Sequence, residues 1–416
     1  MTELAQGIRL RFESSALNYR AMKLLGPRLP RVLRGRMPWL ELASYPLPAL
    51  PGPDWVRVRP TLAGICGTDM ALLTGHTSAI LSPFASFPAV LGHEIVGVVG
   101  EVGDGVTRVQ AGQRVVVDPL ISCAMRGLPA CPWCADGLPG LCLNAADGAL
   151  APGPMIGFCR DLPGGWSDAV LVHDSQLHPV PDAVPDEVAV LVEPLSVAMH
   201  GVLRRPPRAG EAVLVIGGGT MGLSTIAALT MSQPGVAITA VARYDLQARQ
   251  AQRLGATHVV RSRDPEGPVR AAVAEAGARA HEPLVGPTVL SGGFDLVYDC
   301  VGTRSSLDAA LRAAGPRGDV VLLGGPTKIG PLDWTLAWTR ELRLLGTYVY
   351  GLEPSLPDGQ HTFDRVLELL VAHPDLPLDE LVTHRFGLRD WRRAMRTALS
   401  HGSHAGLKIA FEVPPG

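Results

Sequence analysis

Apolar and polar residues alternate through Trp55-Val56-Arg57-Val58-Arg59, the period of a strand with one buried face. A second, almost wholly apolar and β-branched stretch, Leu91 to Val99, is broken near its head by the polar pair His93-Glu94. Further along, Val213-Leu214-Val215-Ile216 predicts a short buried strand, Leu223 to Met231 a helix, and Val236 to Ala242 a second strand. No residue from Ala212 to Ala242 carries a formal charge. Gly217-Gly218-Gly219 and Pro234-Gly235 nevertheless divide the stretch into pieces too short to cross a membrane, so it predicts two buried strands flanking a buried helix. Phe294 to Gly302 continues the alternation as a strand, a helix follows through Ala314, and another strand begins at Asp319 and runs into Gly324-Gly325. Strands apolar on both faces and separated by helices predict a parallel sheet covered on both sides, an α/β architecture.

The chain has 416 residues, enough for two or three domains at roughly 150 residues each, and long enough to fold without disulfides. Lys plus Arg is 37 against 39 Asp plus Glu, which leaves no broad basic footprint for nucleic acid. With 47% hydrophobic residues the composition is far from disordered, and 37 Pro and 47 Gly indicate many turns. The opening MTELAQGIRLRFESS places charges where a signal peptide needs an apolar core, so a cytoplasmic location is expected.

Seven Cys without an export signal point to thiolate ligands or buried thiols. Four form Cys123-x7-Cys131-x2-Cys134-x7-Cys142 in a Gly- and Pro-rich stretch that cannot build its own core. Four thiolates satisfy a tetrahedral zinc with no open position, so this site is expected to be structural. Cys159 and Cys300 read as small apolar residues. Cys66 lies in GICGTDMALLTGH just after the first strand, and Glu193 is a second carboxylate in an apolar setting, followed by Pro194. A packing role explains each of Cys66, His93, Glu94 and Glu193 alone; together they are a mixed sulfur, nitrogen and oxygen set suited to a catalytic zinc. Three anionic ligands would blunt that zinc's Lewis acidity, so one of Glu94 and Glu193 is expected to give way to water or substrate. Thr68 offers a hydroxyl that can pass an alcohol proton towards solvent. His76, His173, His178 and His200 read as surface or satisfied core histidines.

Gly217-Gly218-Gly219-Thr220-Met221-Gly222 is G-x-G-x-x-G between a strand and a helix, the setting in which a helix N-terminus meets a pyrophosphate. After the next strand an NAD site normally carries Asp or Glu for the ribose hydroxyls, whereas this chain has Ala242-Arg243-Tyr244 and no carboxylate before Asp245. Arg243 suits a 2′-phosphate, so NADP is expected over NAD; Asp245 folding back to the ribose is the open alternative. Val301, Gly302, Gly324 and Gly325 lie at strand carboxyl ends, where the nicotinamide half belongs.

In order, GICGTD, LGHEIVGVV, the four-Cys loop, VEPLSVAMHGV, VLVIGGGTMG and FDLVYDCVG resemble the zinc-containing medium-chain dehydrogenase/reductase family, which includes alcohol, sorbitol, threonine and glucose dehydrogenases. The resemblance runs from about Trp55 to Ile409. It implies a Rossmann doubly wound parallel sheet inserted into a β-rich GroES-like catalytic domain. The catalytic domain is expected at 1–196, including an N-terminal extension 1–50 and the zinc loop 123–142. The coenzyme domain follows at 197–346, and the return to the catalytic domain at 347–416. By the same resemblance Cys66, His93 and Glu94 match the catalytic zinc motif, Glu193 binds zinc or its water, and Thr68 relays the proton.

Three features depart from the family pattern. Cys123 stands further from Cys131 than usual, Ala71 replaces a proton-relay His, and the N-terminal segment is long and basic, with Arg20, Lys23, Arg28, Arg31, Arg34 and Arg36. The prolines of that segment favour a solvated extension, and Ser262 to Gly293 reads as a variable loop. The implied reaction moves a hydride between an alcohol and NADP(H) in the cleft between domains. The Glu-Pro-Leu motif favours a polyol, sugar or other secondary alcohol. Trp334, Trp338 and Tyr348 to Tyr350 either line the pocket or pack. A homodimer or homotetramer is implied. Two other readings stay open: a zinc-independent NADPH enone or quinone reductase, and a non-catalytic NADPH-binding partner protein.

Overall fold

The alternation at 55–59 becomes the start of strand β3 (Trp55–Gly64), with Val56 and Val58 buried and Arg59 exposed. This computed structural model describes residues 4–13, 15–26, 39–47, 49–325, 329–400 and 406–413. The basic run at Arg28, Arg31, Arg34 and Arg36 lies outside the described residues. Chain contacts divide the protein into two units: one comprises residues 1–193, 363–367 and 382–416, the other 194–362 and 368–381.

The first unit is β-rich. Its seven-stranded sheet uses β3, β5 (Glu94–Val102), β6 (Arg114–Val117), β7 (Val170–His173), β8 (Leu177–Pro179), β17 (Val382–Gly387) and β18 (Lys408–Glu412), in the order β17-β18-β3-β5-β6-β8 with β7 also paired to β3. Val56, Val58, Ile95, Val99, Val115 and Val117 supply its core, each from the buried face of its strand. The N-terminal segment begins as a packed strand rather than as the solvated extension expected, while Arg20 and Lys23 of its basic run are exposed. β1 (Leu4–Leu10) pairs antiparallel with β2 (Leu40–Pro46) and with β4 (Ala89–Val90), and Ile8 and Leu10 are wholly buried. Apolar side chains at alternate positions of β1 account for this, because a strand with one apolar face must bury it.

The second unit holds a six-stranded, all-parallel sheet in the order β11-β10-β9-β14-β15-β16. Its strands are β9 (Val213–Ile216), β10 (Ile238–Ala242), β11 (His258–Arg261), β14 (Phe294–Asp299), β15 (Ala314–Leu322) and β16 (Arg343–Gly346). β9 sits at the centre with β10 on one side and β14 on the other, so the strand order reverses there and the carboxyl end of β9 opens at a switch point. The uncharged stretch resolves into β9, the helix Thr220–Ser232 and β10. Among the described residues no helix is long and apolar enough to cross a membrane. Ser262 to Gly293 is more than a loop: it contains the helix Gly267–Glu275 and an antiparallel hairpin of β12 (Arg279–His281) and β13 (Val289–Ser291).

The expected return to the first unit at 347 needs correction, because residues 347–362 and 368–381 cluster with the parallel sheet. Side chains tie them there: His200 Nδ1 lies 2.6 Å from Glu353 Oε1, Thr347 Oγ1 donates to the Leu322 carbonyl of β15 at 3.0 Å, and Glu380 pairs with Arg253.

Candidate active site and cofactor cradle

The sulfur quartet forms in the loop as its spacing predicts. Cys123, Cys131, Cys134 and Cys142 bring their sulfurs within 4.8 Å of one another, and none is in a disulfide. Sulfurs each about 2.3 Å from a single tetrahedral zinc require such spacing, so the residues fit the ion. Burial opposes ionisation of Cys131, yet donors from Leu143, Cys134 and Cys123 outweigh it and bring the thiol down to about 6, while burial pushes Cys142 up to about 11. The longer spacing after Cys123 forms a helical turn, Ala124–Arg126, that carries a fully buried arginine. Arg126 donates to the carbonyls of Asp147 (3.1 Å), Leu150 (3.2 Å), Ala151 (3.3 Å) and Gly153, anchoring the loop to the segment that follows it.

Cys66 ends β3's connection as the N-cap of the short helix Gly67–Leu73, and its backbone N–H donates to Asp69 at 3.0 Å. Asp69 is completely buried, and its Oδ1 stands 3.4 Å from Nδ1 of the buried His93. Burial would pull His93 down, but the charges of Asp69 and Cys66 outweigh it and hold the imidazole well above its usual value. A carboxylate against Nδ1 orients a histidine so that its other nitrogen is available to a metal. Cys66 Sγ lies 3.6 Å from the hydroxyl of Thr68, which is exposed.

The placement of Glu94 differs from the zinc ligand expected. Both of its oxygens accept from Lys408 Nζ at 2.6 Å, and both side chains are buried. Burial would deprotonate Lys408, but Glu94, then Cys66 and Glu193, outweigh it and keep the ammonium charged. Gly64 faces Glu94 across β3 and β5, and a Cβ there would stand 1.7 Å from Oε2, so only glycine leaves room for this pair. Cys66, His93, Glu94 and Glu193 do not close to the spacing of the sulfur quartet. Their donor chemistry of thiol, imidazole and a buried carboxylate at Glu193 still suits zinc, with Glu94 turned away to Lys408.

In the parallel unit Gly217 has φ +108 and a Cβ there would strike Val301 at 2.6 Å, while nothing lies within 4 Å of one placed on Gly219. Gly222 packs against the Gly217 carbonyl, where a Cβ would sit 1.7 Å away. Gly219 caps the helix that starts at Thr220 and Met221, so an open cradle faces that helix N-terminus. At the end of β14 the buried Asp299 accepts from the N–H groups of Val301 (3.0 Å) and Gly302 (3.2 Å), fixing the turn. Gly324 abuts Val301 and Gly302 too closely for any side chain, and Gly325 has φ +64. Past β10, Arg243 and Tyr244 donate their N–H groups to Gln247 Oε1, and Asp245 is paired with Arg261. Cys159 is a buried thiol and Cys300 a half-buried residue whose thiol is pushed up to about 12 by burial of the sulfur. Trp334 and Trp338 are exposed, while Tyr350 is buried.

Residues 52–182 match the alcohol dehydrogenase GroES-like domain, and residues 221–372 match the zinc-binding dehydrogenase family. A 2-dehydro-3-deoxy-L-galactonate 5-dehydrogenase of Pseudoalteromonas atlantica is 32% identical over 364 residues, covering 86% of this chain and 91% of the relative. The chain belongs to the zinc-dependent medium-chain dehydrogenase/reductase family. A sorbitol dehydrogenase of Arabidopsis thaliana, another medium-chain relative, is 30% identical and covered over 92% of its length, with 90% of this chain aligned. A solved zinc-binding dehydrogenase from Sinorhizobium meliloti 1021, bound to NADP, superposes with a TM-score of 0.71 at 26% identity, covering 99% of this chain and all 100% of that one. An alcohol dehydrogenase from Escherichia coli CFT073 complexed with NADH has the same fold, with a TM-score of 0.72 at 23% identity and 99% coverage of each chain. This medium-chain dehydrogenase is accordingly an alcohol dehydrogenase-type oxidoreductase that works with zinc and a nicotinamide cofactor on small molecules. Sequence reasoning missed Asp69, Lys408, Asp299 and Arg126. Only Asp69 had a local signal, since it stands three residues after an N-cap, where a capping-box side chain belongs.

Proposed function

We propose that this enzyme is an NADP(H)-dependent zinc dehydrogenase of a polyol, sugar or other secondary alcohol, with one catalytic and one structural zinc per chain. The observation that carries the reading is the buried Asp69–His93 pair beside Cys66, a set that serves a metal ligand and has no use in zinc-free reduction. The catalytic ligands are Cys66, His93 and Glu193, and Glu94 stands behind them on Lys408. Zinc held by these residues would supply the Lewis acidity that lowers the pKa of an alcohol, and a bound nicotinamide would supply the hydride acceptor or donor. The exposed Thr68 hydroxyl accepts the alcohol proton and hands it to water directly, since Ala71 offers no relay. Gly217, Gly219, Thr220, Met221 and Gly222 receive the pyrophosphate, Val301, Gly324 and Gly325 the nicotinamide half, and Arg243 with Tyr244 the adenosine 2′-phosphate. The polyol and sugar-acid relatives support the substrate class, and Arg243 together with the pairing of Asp245 to Arg261 supports NADP(H).

The test is a titration of zinc-replete protein with NADPH and NADH, followed by nicotinamide fluorescence and repeated on Arg243→Ala. NADPH is expected to bind about tenfold tighter or better, and Arg243→Ala to erase the difference. Equal affinity for the two nucleotides overturns the cofactor assignment.

A further inference from the structure

We propose that Arg263 is a second specificity-determining residue for the adenosine 2′-phosphate, reaching it from a different strand, with Tyr244 as the shared platform for Arg243 and Arg263. This rests on the NADP(H) reading and adds to it a residue with no place in the Gly-rich motif or in the end of β10. The parallel register sets Ala242 of β10 beside Arg261 of β11, so the residues that leave the two strands emerge side by side. There the Arg243 guanidinium lies 5.6 Å from the centre of the Tyr244 ring and the Arg263 guanidinium 5.7 Å from it. Contact with an aromatic ring holds a guanidinium in place while leaving its N–H groups free for a planar anion.

The acids that follow the two strand ends among the described residues are paired. Asp245 pairs with Arg261, Asp264 with Arg270 at 3.0 Å, and Glu266 with Arg312 at 2.6 Å. Among the described residues no acid pairs with Arg243 or Arg263. Two cations gathered on one ring while the local carboxylates are neutralised by others form a site of positive sign that lacks its counter-ion. A phosphate monoester, with a charge of about −2 near neutral pH and three acceptor oxygens, suits two guanidiniums arriving from different directions. A ribose diol suits them poorly, since it calls for an acceptor and the one carboxylate at hand, Asp245, is held by Arg261.

The experiment uses the full zinc-replete chain and two small probes, adenosine 2′,5′-bisphosphate and adenosine 5′-monophosphate, with affinities read by calorimetry. Wild type is expected to prefer the bisphosphate by about tenfold or more, and Arg263→Gln to lower bisphosphate affinity about tenfold while the monophosphate stays within about twofold. Arg263→Lys, which keeps the charge and loses the fork, is expected to fall between them. Wild type that does not prefer the bisphosphate overturns the NADP(H) reading and this inference with it. A wild-type preference that survives in Arg263→Gln, or a loss equal for both probes, overturns the role of Arg263 and leaves NADP(H) standing.

Discussion

Two side chains separated by 314 residues decide the charge balance beside Cys66 and His93. Glu94 and Lys408 are buried together, and neither tolerates that burial without the other. Lys408→Met is therefore expected to cost about 3–5 kcal/mol in urea unfolding of the holo-protein, through a carboxylate left without its cation. The double variant Glu94→Gln with Lys408→Met should recover most of that loss, and a double variant no more stable than the single one would show that the pair is not the cause. Here the sequence was half legible. His93-Glu94 at the head of an apolar strand announced a buried carboxylate in need of a cation, but a metal was the nearest cation that local spacing could offer. Lys408, one of three lysines in the chain, carries no sign of its partner because a strand pairing through the far end of the fold brings them together.

Most elements could be read from their apolar runs, and β9, the helix after it, β10 and β14 fall where the pattern put them. What the pattern could not give was the fate of weakly patterned segments. The stretch at 262–293 became a helix and a hairpin, and the N-terminal stretch became a strand, because their partners are distant in sequence. The four-Cys loop is the element whose chemistry was clearest, since ligand count and spacing alone define a closed tetrahedral site. Cys142→Ser is expected to lower zinc content from about two per chain to about one, measured by metal analysis. Zinc remaining at two per chain would remove the sulfur quartet from the metal assignment. The Arg126 clamp makes complete collapse of the loop unnecessary for that result, because this loop side chain outside the ligand set holds four carbonyls of the following segment, 147–153.

At the scale of the molecule, the six-stranded sheet ends on β16, whose outer edge is unpaired among the described strands, and the short helix just before it exposes Trp334 and Trp338. Open edges and exposed indoles are surfaces that proteins cover. Light scattering is expected to give a mass of two or four chains, and Trp338→Glu to shift it towards one; a wild-type monomer would overturn this. The doubly wound order was legible from strands apolar on both faces, whereas the late return to the first unit was not, since nothing in the periodicity of 347–381 distinguishes one core from the other. The return by β18 also sets a schedule for synthesis. β18 closes the Ala63–Gly64 end of β3, so that edge waits on the ribosome for the residues that complete it. At a translation rate of about 5–20 residues per second the interval lasts roughly 17–70 s. The parallel unit, nearly continuous in sequence, is finished first, and the β-rich unit spends that interval with an open strand edge as a client for chaperones.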